Sequence, residues 1–180
     1  LSLRRQRQMC IRDRPEELDH FLEEIFAECP LRISVKTRVG VNDAGEWEHL
    51  LSIYEKFPME ELIIHPRVQK DFYNNTPDME AFLYAVENSR HTLCYNGDIC
   101  SVEDYRTWRQ QMEEKRECAF MQESGHQTDP EDTGSLVSHL MLGRGVLKNP
   151  GLIGEITGHA PITKDQLHAF HDDVLKGYLD

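Results

Sequence analysis

Apolar positions along this chain alternate between helical spacing and short unbroken runs. Leu18, Phe21, Leu22, Ile25 and Phe26 fall at i, i+3, i+4, i+7 and i+8, one face of a helix. Pro15 suits its first turn, with Glu16 and Glu17 at the positive end of the dipole. Cys29-Pro30 ends it, and Arg32–Val35 reads as a strand. A loop from Gly40 to Gly45 leads to a second helix with Trp47, Leu50, Leu51, Tyr54 and Phe57 inward, stopped at Pro58. Leu62-Ile63-Ile64 reads as a strand apolar on both faces, as buried parallel strands are. The plan then repeats. A helix presents Met79, Phe82, Leu83 and Val86, the strand Thr92–Tyr95 follows, and Ser101 with Asp104 opens a helix carrying Val102, Tyr105, Trp108 and Met112. Residues 117–135 are predicted to form an inserted surface loop, Ser138–Leu142 the last strand, and Asn149-Pro150 the cap of a short helix. Thr163-x-x-Gln166 opens a final helix with Leu167, Phe170, Val174, Leu175 and Tyr178 inward.

Each apolar run ends in a polar cluster. These are Lys36-Thr37-Arg38, His65-Pro66-Arg67, Asn96-Gly97-Asp98 and Gly143-Arg144-Gly145. Lys36 to His65 is 29 positions and His65 to Asn96 is 31, about one strand-plus-helix unit each. Polar groups at the carboxyl ends of successive parallel strands are how a (β/α) barrel holds a ligand on one face. The predicted fold class is α/β, the C-terminal half of a (β/α)8 TIM barrel followed by the start of a helical domain. Eight units need about 250 residues, so the 180-residue chain is expected to be a fragment. Residues 15–158 are assigned to the partial barrel and 159–180 to the helical domain.

Charge and composition narrow the classes. The net charge of −12 argues against a generic nucleic-acid binder, though not against contact with RNA through a local patch. No apolar run is long enough to span a membrane. Five cysteines without a Cys-x-x-Cys spacing disfavour a disulfide framework or a zinc site and fit a reducing cytoplasm. Residues 1–14 stand apart, with five arginines against one acid. They lack the apolar core of a targeting peptide, and Arg5 to Arg14 resembles translated sequencing-adapter read-through. The segment is expected to be non-native or a disordered basic arm.

The clusters carry the candidate chemistry. Glycines in Asn96-Gly97-Asp98 and Gly143-Arg144-Gly145 let main-chain N–H groups approach an anion, and Arg144 offers a planar, permanently charged fork to phosphate oxygens. The plainer reading of each is a turn after a strand; as a pair on adjacent strands they favour a phosphate cradle. Lys36 suits a Schiff-base nucleophile, a phosphate ligand or a cation beside an electron-rich ring, against a simple salt bridge. His65 alone reads as a core histidine, and gains meaning from its alignment with the other strand ends. His168 and His171 lie one helical turn apart without a third ligand, which reads as a solvated face rather than a metal site.

Together, Ile33-Ser34-Val35-Lys36-Thr37-Arg38-Val39-Gly40, Glu61 to Arg67, Cys94-Tyr95-Asn96-Gly97-Asp98-Ile99 and Met141 to Gly145 resemble the tRNA-dihydrouridine synthases, in order, from about Arg32 to Ile156. The resemblance implies an FMN-dependent barrel oxidoreductase that reduces uridine to 5,6-dihydrouridine in tRNA with NADPH as reductant. It implies that Lys36 and His65 contact the isoalloxazine side of FMN. Asn96, Gly97, Asp98, Gly143 and Arg144 would hold the ribityl phosphate, and Arg38 and Arg67 would meet the substrate base or tRNA backbone. The family's proton-donating cysteine belongs to an Asn-x-Gly-Cys-Pro loop. That motif does not occur in these 180 residues, so no catalytic residue is assigned. The chain alone is therefore expected to bind FMN weakly or not at all and not to turn over. No metal, membrane or stable protein partner is expected. Competing readings are another FMN-dependent TIM-barrel oxidoreductase, a phosphate-binding barrel lyase with Lys36 as Schiff-base lysine, and a fragment that binds nothing.

Overall fold

A computed structural model describes residues 14–72, 74–122, 137 and 139–179. The basic segment 1–13, most of the predicted loop 117–135 and Ser138 lie outside the described residues. The elements run α1 (Pro15–Glu28), β1 (Ser34–Gly40), α2 (Trp47–Tyr54), β2 (Glu61–Val68), α3 (Met79–Asn88), β3 (Leu93–Tyr95), α4 (Val102–Gln122), β4 (His139–Leu140), α5 (Arg144–Lys148), α6 (Leu152–Ile156) and α7 (Lys164–Leu179). Four strands form one sheet in the order β1-β2-β3-β4, every pair parallel. Parallel strands alternating with helices, each beside its sequence neighbour, match part of a (β/α) barrel. The chain divides into two compact units, residues 1–97 with 131–141, and residues 98–130 with 142–180.

The first unit holds the sheet and α1 to α3. In register, Val35 pairs with Leu62 and Leu62 with Leu93, while Thr37 pairs with Ile64 and Ile64 with Tyr95. Paired residues of parallel strands share a face, and successive residues alternate. That apolar face meets the helices. The Thr37 hydroxyl lies 2.8 Å from the Tyr54 hydroxyl of α2, and the Tyr95 ring sits edge-on to Phe82 of α3 at 4.8 Å. Trp47 is buried and donates its indole N–H to the Ala81 carbonyl at 2.8 Å, which joins α2 to α3. The α2 start is fixed by Glu46, whose carboxylate accepts from the N–H groups of Val41, Asn42 and Asp43 at 2.9 to 3.1 Å. Burial raises the Glu46 pKa, but these three bonds outweigh it and hold the group below the ordinary carboxylate range.

Two strands are longer than the apolar runs predicted. β1 extends through Lys36-Thr37-Arg38 and β2 through His65-Pro66-Arg67, so these clusters are strand residues rather than strand-end loops. The reason is alternation. Lys36 and Arg38 project to one face while Val35, Thr37 and Val39 fill the other. Pro66 has no N–H for the ladder, and the register slips there: Arg38 pairs with His65 but Gly40 with Val68, one extra residue in β2.

The second unit is helical. Asp104 N–H donates to the Ser101 hydroxyl at 3.1 Å, confirming the predicted start of α4. The helix continues to Gln122, six residues into the predicted loop. The stretch is rich in strong helix formers, and Arg109–Glu113 and Gln110–Glu114 side-chain bonds of 2.7 and 2.8 Å brace it at i, i+4. The Asn149 side chain accepts from Gly151 N–H at 3.0 Å in the turn before α6, whose N-cap is Gly151 rather than the predicted Asn149, and Thr163 with Gln166 caps α7. The predicted inward stripe of α7 is a correction: Leu167, Phe170, Val174, Leu175 and Tyr178 are 44 to 86% exposed. Amphipathic spacing forms the stripe, but burying it takes an opposing surface.

Candidate functional site

The face of the sheet away from the helices is polar, which is unusual for a sheet interior. Lys36 pairs with Ile63, Ile63 with Cys94 and Cys94 with His139, so these four side chains share that face. One step along, Arg38 pairs with His65. The Lys36 amine donates to the side-chain oxygen of Asn96. Asn96 in turn donates its amide NH2 to the Met141 carbonyl at 2.7 Å, which fixes which way the amide points. Its main-chain N–H continues the ladder to Ile64 O at 2.9 Å. Burial of the amine lowers the Lys36 pKa, neighbouring Arg38 lowers it further, and Cys94 acts in the opposite sense.

Cys94 is 3% exposed, and its thiol is pushed up to about 11 by burial and by the Glu61 carboxylate, against the pull of Lys36. It is a protonated thiol at neutral pH, not a nucleophile. Glu61 pairs with His139 at 2.6 Å, Oε1 to Nδ1. Cys94, Glu61 and His139 are the residues that a search for strand-end clusters overlooks. Stepping back by twos from Asn96, His65 and Met141 reaches them, because side chains of one face recur with period two.

His65 and Arg67 are both buried, and the Arg67 Nη1 lies 3.4 Å from His65 Nε2. Arg67 Nε donates to the Asn75 carbonyl. Arg38 donates from Nη1 to Val68 O at 2.9 Å and from Nη2 to Phe72 O at 3.2 Å. Both guanidinium groups thus hold main-chain carbonyls of the segment that follows β2. Gly97 lies in a bend just past β3, where a Cβ would run into the Tyr95 hydroxyl and ring.

In the second unit, Asp98 and Arg144 form an ion pair of 2.5 Å, with Arg144 half-exposed. Arg144 begins α5 and Gly143 caps it. Space around Gly143 is open to 4 Å, whereas a Cβ on Gly145 would strike the Ile99 carbonyl. Gly145 is therefore a packing glycine, and Gly143 leaves its main chain open to an approaching group. Among the described residues no three His, Cys, Asp or Glu side chains group as a metal site, and His168 and His171 are exposed on α7. No described helix is long and apolar enough to cross a membrane.

The dihydrouridine synthase (Dus) family model matches residues 10–170. The chain belongs to the dihydrouridine synthase family. No curated protein matches it. Dihydrouridine synthases are FMN-dependent oxidoreductases that form dihydrouridine in tRNA by flavin-dependent reduction. The family match covers every cluster on which the resemblance rested, from Lys36 to Gly145.

Proposed function

We propose that the polar sheet face and the Asp98–Arg144 pair are FMN-binding elements of a tRNA-dihydrouridine synthase that takes its reducing equivalents from NADPH. Lys36 and His65 serve the isoalloxazine ring. Asn96, Gly97, Asp98, Gly143 and Arg144 serve the ribityl phosphate. The observation that carries this reading is the Lys36–Asn96 bond on a sheet face that also bears His65 and Arg38. A core sheet in a parallel fold ordinarily carries apolar residues on both faces, so two cations, Lys36 and Arg38, on the face that also bears His65 call for an anionic or electron-rich ligand.

The residues fit that group. The open main chain at Gly143 admits phosphate oxygens, and Arg144 is a fork held in place by Asp98. Bound FMN supplies hydride transfer to the C5–C6 bond of uracil. This chain's residues bind and orient: Asn96 holds the Lys36 amine, and Arg67 steadies the His65 ring. Cys94 is not assigned as the proton donor, since its thiol is buried and, with its pKa pushed up to about 11, is a weak acid. Arg38 and Arg67 remain the groups nearest a tRNA base in this reading, in the first case through the segment after β2. Residues 159–180 open the helical tRNA-binding domain, and the free cysteines Cys29, Cys94 and Cys100 suit a reducing cytoplasm.

Titration of FMN into the chain tests this. Weak but saturable quenching of flavin fluorescence is expected, shifted to at least about tenfold higher FMN by Lys36→Met. Quenching that is identical in Lys36→Met, or absent at millimolar FMN, would overturn the assignment.

A further inference from the structure

Phe72 is the only non-glycine residue with positive φ among the described residues, at φ 52° and ψ −95°. An aromatic side chain rarely adopts that backbone, and it persists only where the surroundings impose it. Here they do. Arg38 Nη2 donates to the Phe72 carbonyl, Phe72 N–H donates to Gln69 O at 3.1 Å, and Lys70 N–H donates to Val41 O at 3.0 Å. The Asn75 amide adds a bond to the Asp71 carboxylate at 2.6 Å. The result of all this bonding is a ring that is 65% exposed. A strained main chain that presents an apolar ring to water gains nothing for the fold.

We propose that Phe72 is a stacking platform for an unpaired nucleobase of the RNA substrate, next to the uridine that is reduced. The inference rests on the reading above, that the substrate is tRNA. Three observations favour a base over another occupant. The ring follows β2, the strand that carries His65, and its own carbonyl is held by Arg38, so it stands one hydrogen bond from the cationic sheet face. Arg38, which holds the Phe72 carbonyl, and Lys70, two residues before it, are cations, which suit a phosphate-linked ligand better than an apolar protein surface. Among the described residues of the first unit, the other exposed large apolar side chain, Leu31, is aliphatic and offers no such ring. A base taken out of its stack needs a π-face to replace the one it lost, and an aromatic side chain supplies it without reading sequence.

The test is fluorescence anisotropy of a labelled, unmodified tRNA transcript with the full chain and four variants at low salt. Phe72→Ala and Phe72→Leu are expected to weaken binding on the order of 5- to 150-fold, the span of one lost base–aromatic stack. Phe72→Tyr and Phe72→Trp are expected to stay within about threefold of the parent, since each keeps a π-face. The leucine variant separates stacking from simple apolar burial, and unchanged circular dichroism confirms that each variant is folded. Equal affinity across all five proteins, a leucine variant as good as the parent, or a parent chain with no affinity for the transcript would each overturn the platform. FMN titration of the same samples separates the two proposals. Flavin binding that persists with unchanged RNA affinity in Phe72→Ala sinks the platform alone. Lost RNA affinity in Phe72→Ala, with no flavin bound by any sample, leaves the platform standing and sinks the flavin assignment.

Discussion

The amine of Lys36 on β1 is held by the side-chain oxygen of Asn96, sixty residues later, just past the end of β3. That bond crosses β2 and places two cluster residues on one face of the sheet. Losing either partner has different consequences. Asn96→Ala releases the amine but leaves its charge, whereas Lys36→Met removes the charge and leaves the amide anchored to Met141. A charge-assisted bond contributes about 1.5–3 kcal/mol, so Lys36→Met is expected to weaken FMN by one to two orders of magnitude. Asn96→Ala should cost less, and flavin fluorescence titration reads both.

Lys36 and Cys94 share one row of the sheet and give stability opposite dependences on pH. The Lys36 pKa lies below its ordinary 10.5. Below that value the unfolded chain binds the proton that the folded chain resists, so this residue makes stability rise as pH climbs towards 10.5. Lys36→Met removes that rise and is expected to be more stable than the parent near neutral pH. Cys94 goes the other way. Its thiol is raised from 9.0 to about 11, so between those values only the unfolded chain ionises and stability falls. The full effect at pH 11 is on the order of 2–3 kcal/mol. Urea midpoints from pH 8 to 11, compared among the parent, Lys36→Met and Cys94→Ala, separate the two slopes.

The two glycines flanking Arg144 should respond to alanine in opposite ways. Gly145→Ala drives a Cβ into the Ile99 carbonyl, and overpacking of this kind costs about 2–3 kcal/mol. Gly143→Ala meets open space, and a surface change without a clash stays within about 0.5 kcal/mol. Thermal melts check both, and equal losses would remove the distinction drawn between packing and approach.

Much of this molecule is legible in its sequence, and the failures have physical causes. Helix starts at Ser101 and Thr163 are local, set by one or two capping bonds that the structure makes, and the start at Pro15 is set by proline at the first helical position. Strand lengths are not local. An apolar run stops at Lys36, yet the strand continues because Thr37 and Val39 bury on the helix side while Lys36 and Arg38 face away. The same alternation hides Glu61, Cys94 and His139, which look like a strand edge, a core thiol and one polar residue within a strand until the register aligns them. The α7 stripe was readable as amphipathic, but burial of its Phe170 depends on a surface that helical spacing cannot reveal.

Glu46 supplies an acid-sensitive anchor. Its folded pKa lies below 4.5, so its stabilisation is present above that value and fades as pH falls through the lower folded value. Glu46→Gln keeps the size but loses the charge that three N–H groups share, and the loss of such a cap costs about 1–2 kcal/mol. The parent and Glu46→Gln are expected to converge in stability as pH falls from 4.5 through the lower folded pKa, measured by urea unfolding.

The central claim is that Lys36 serves the ring of FMN and Arg144 its phosphate. Parallel titrations with FMN and with riboflavin, which lacks the phosphate, test it most directly. The account predicts that Arg144→Ala erases the advantage of FMN over riboflavin while leaving riboflavin unchanged, and that Lys36→Met weakens both by the same factor. An Arg144→Ala chain that still prefers FMN as the parent does, or a Lys36→Met chain that binds riboflavin normally, would contradict it.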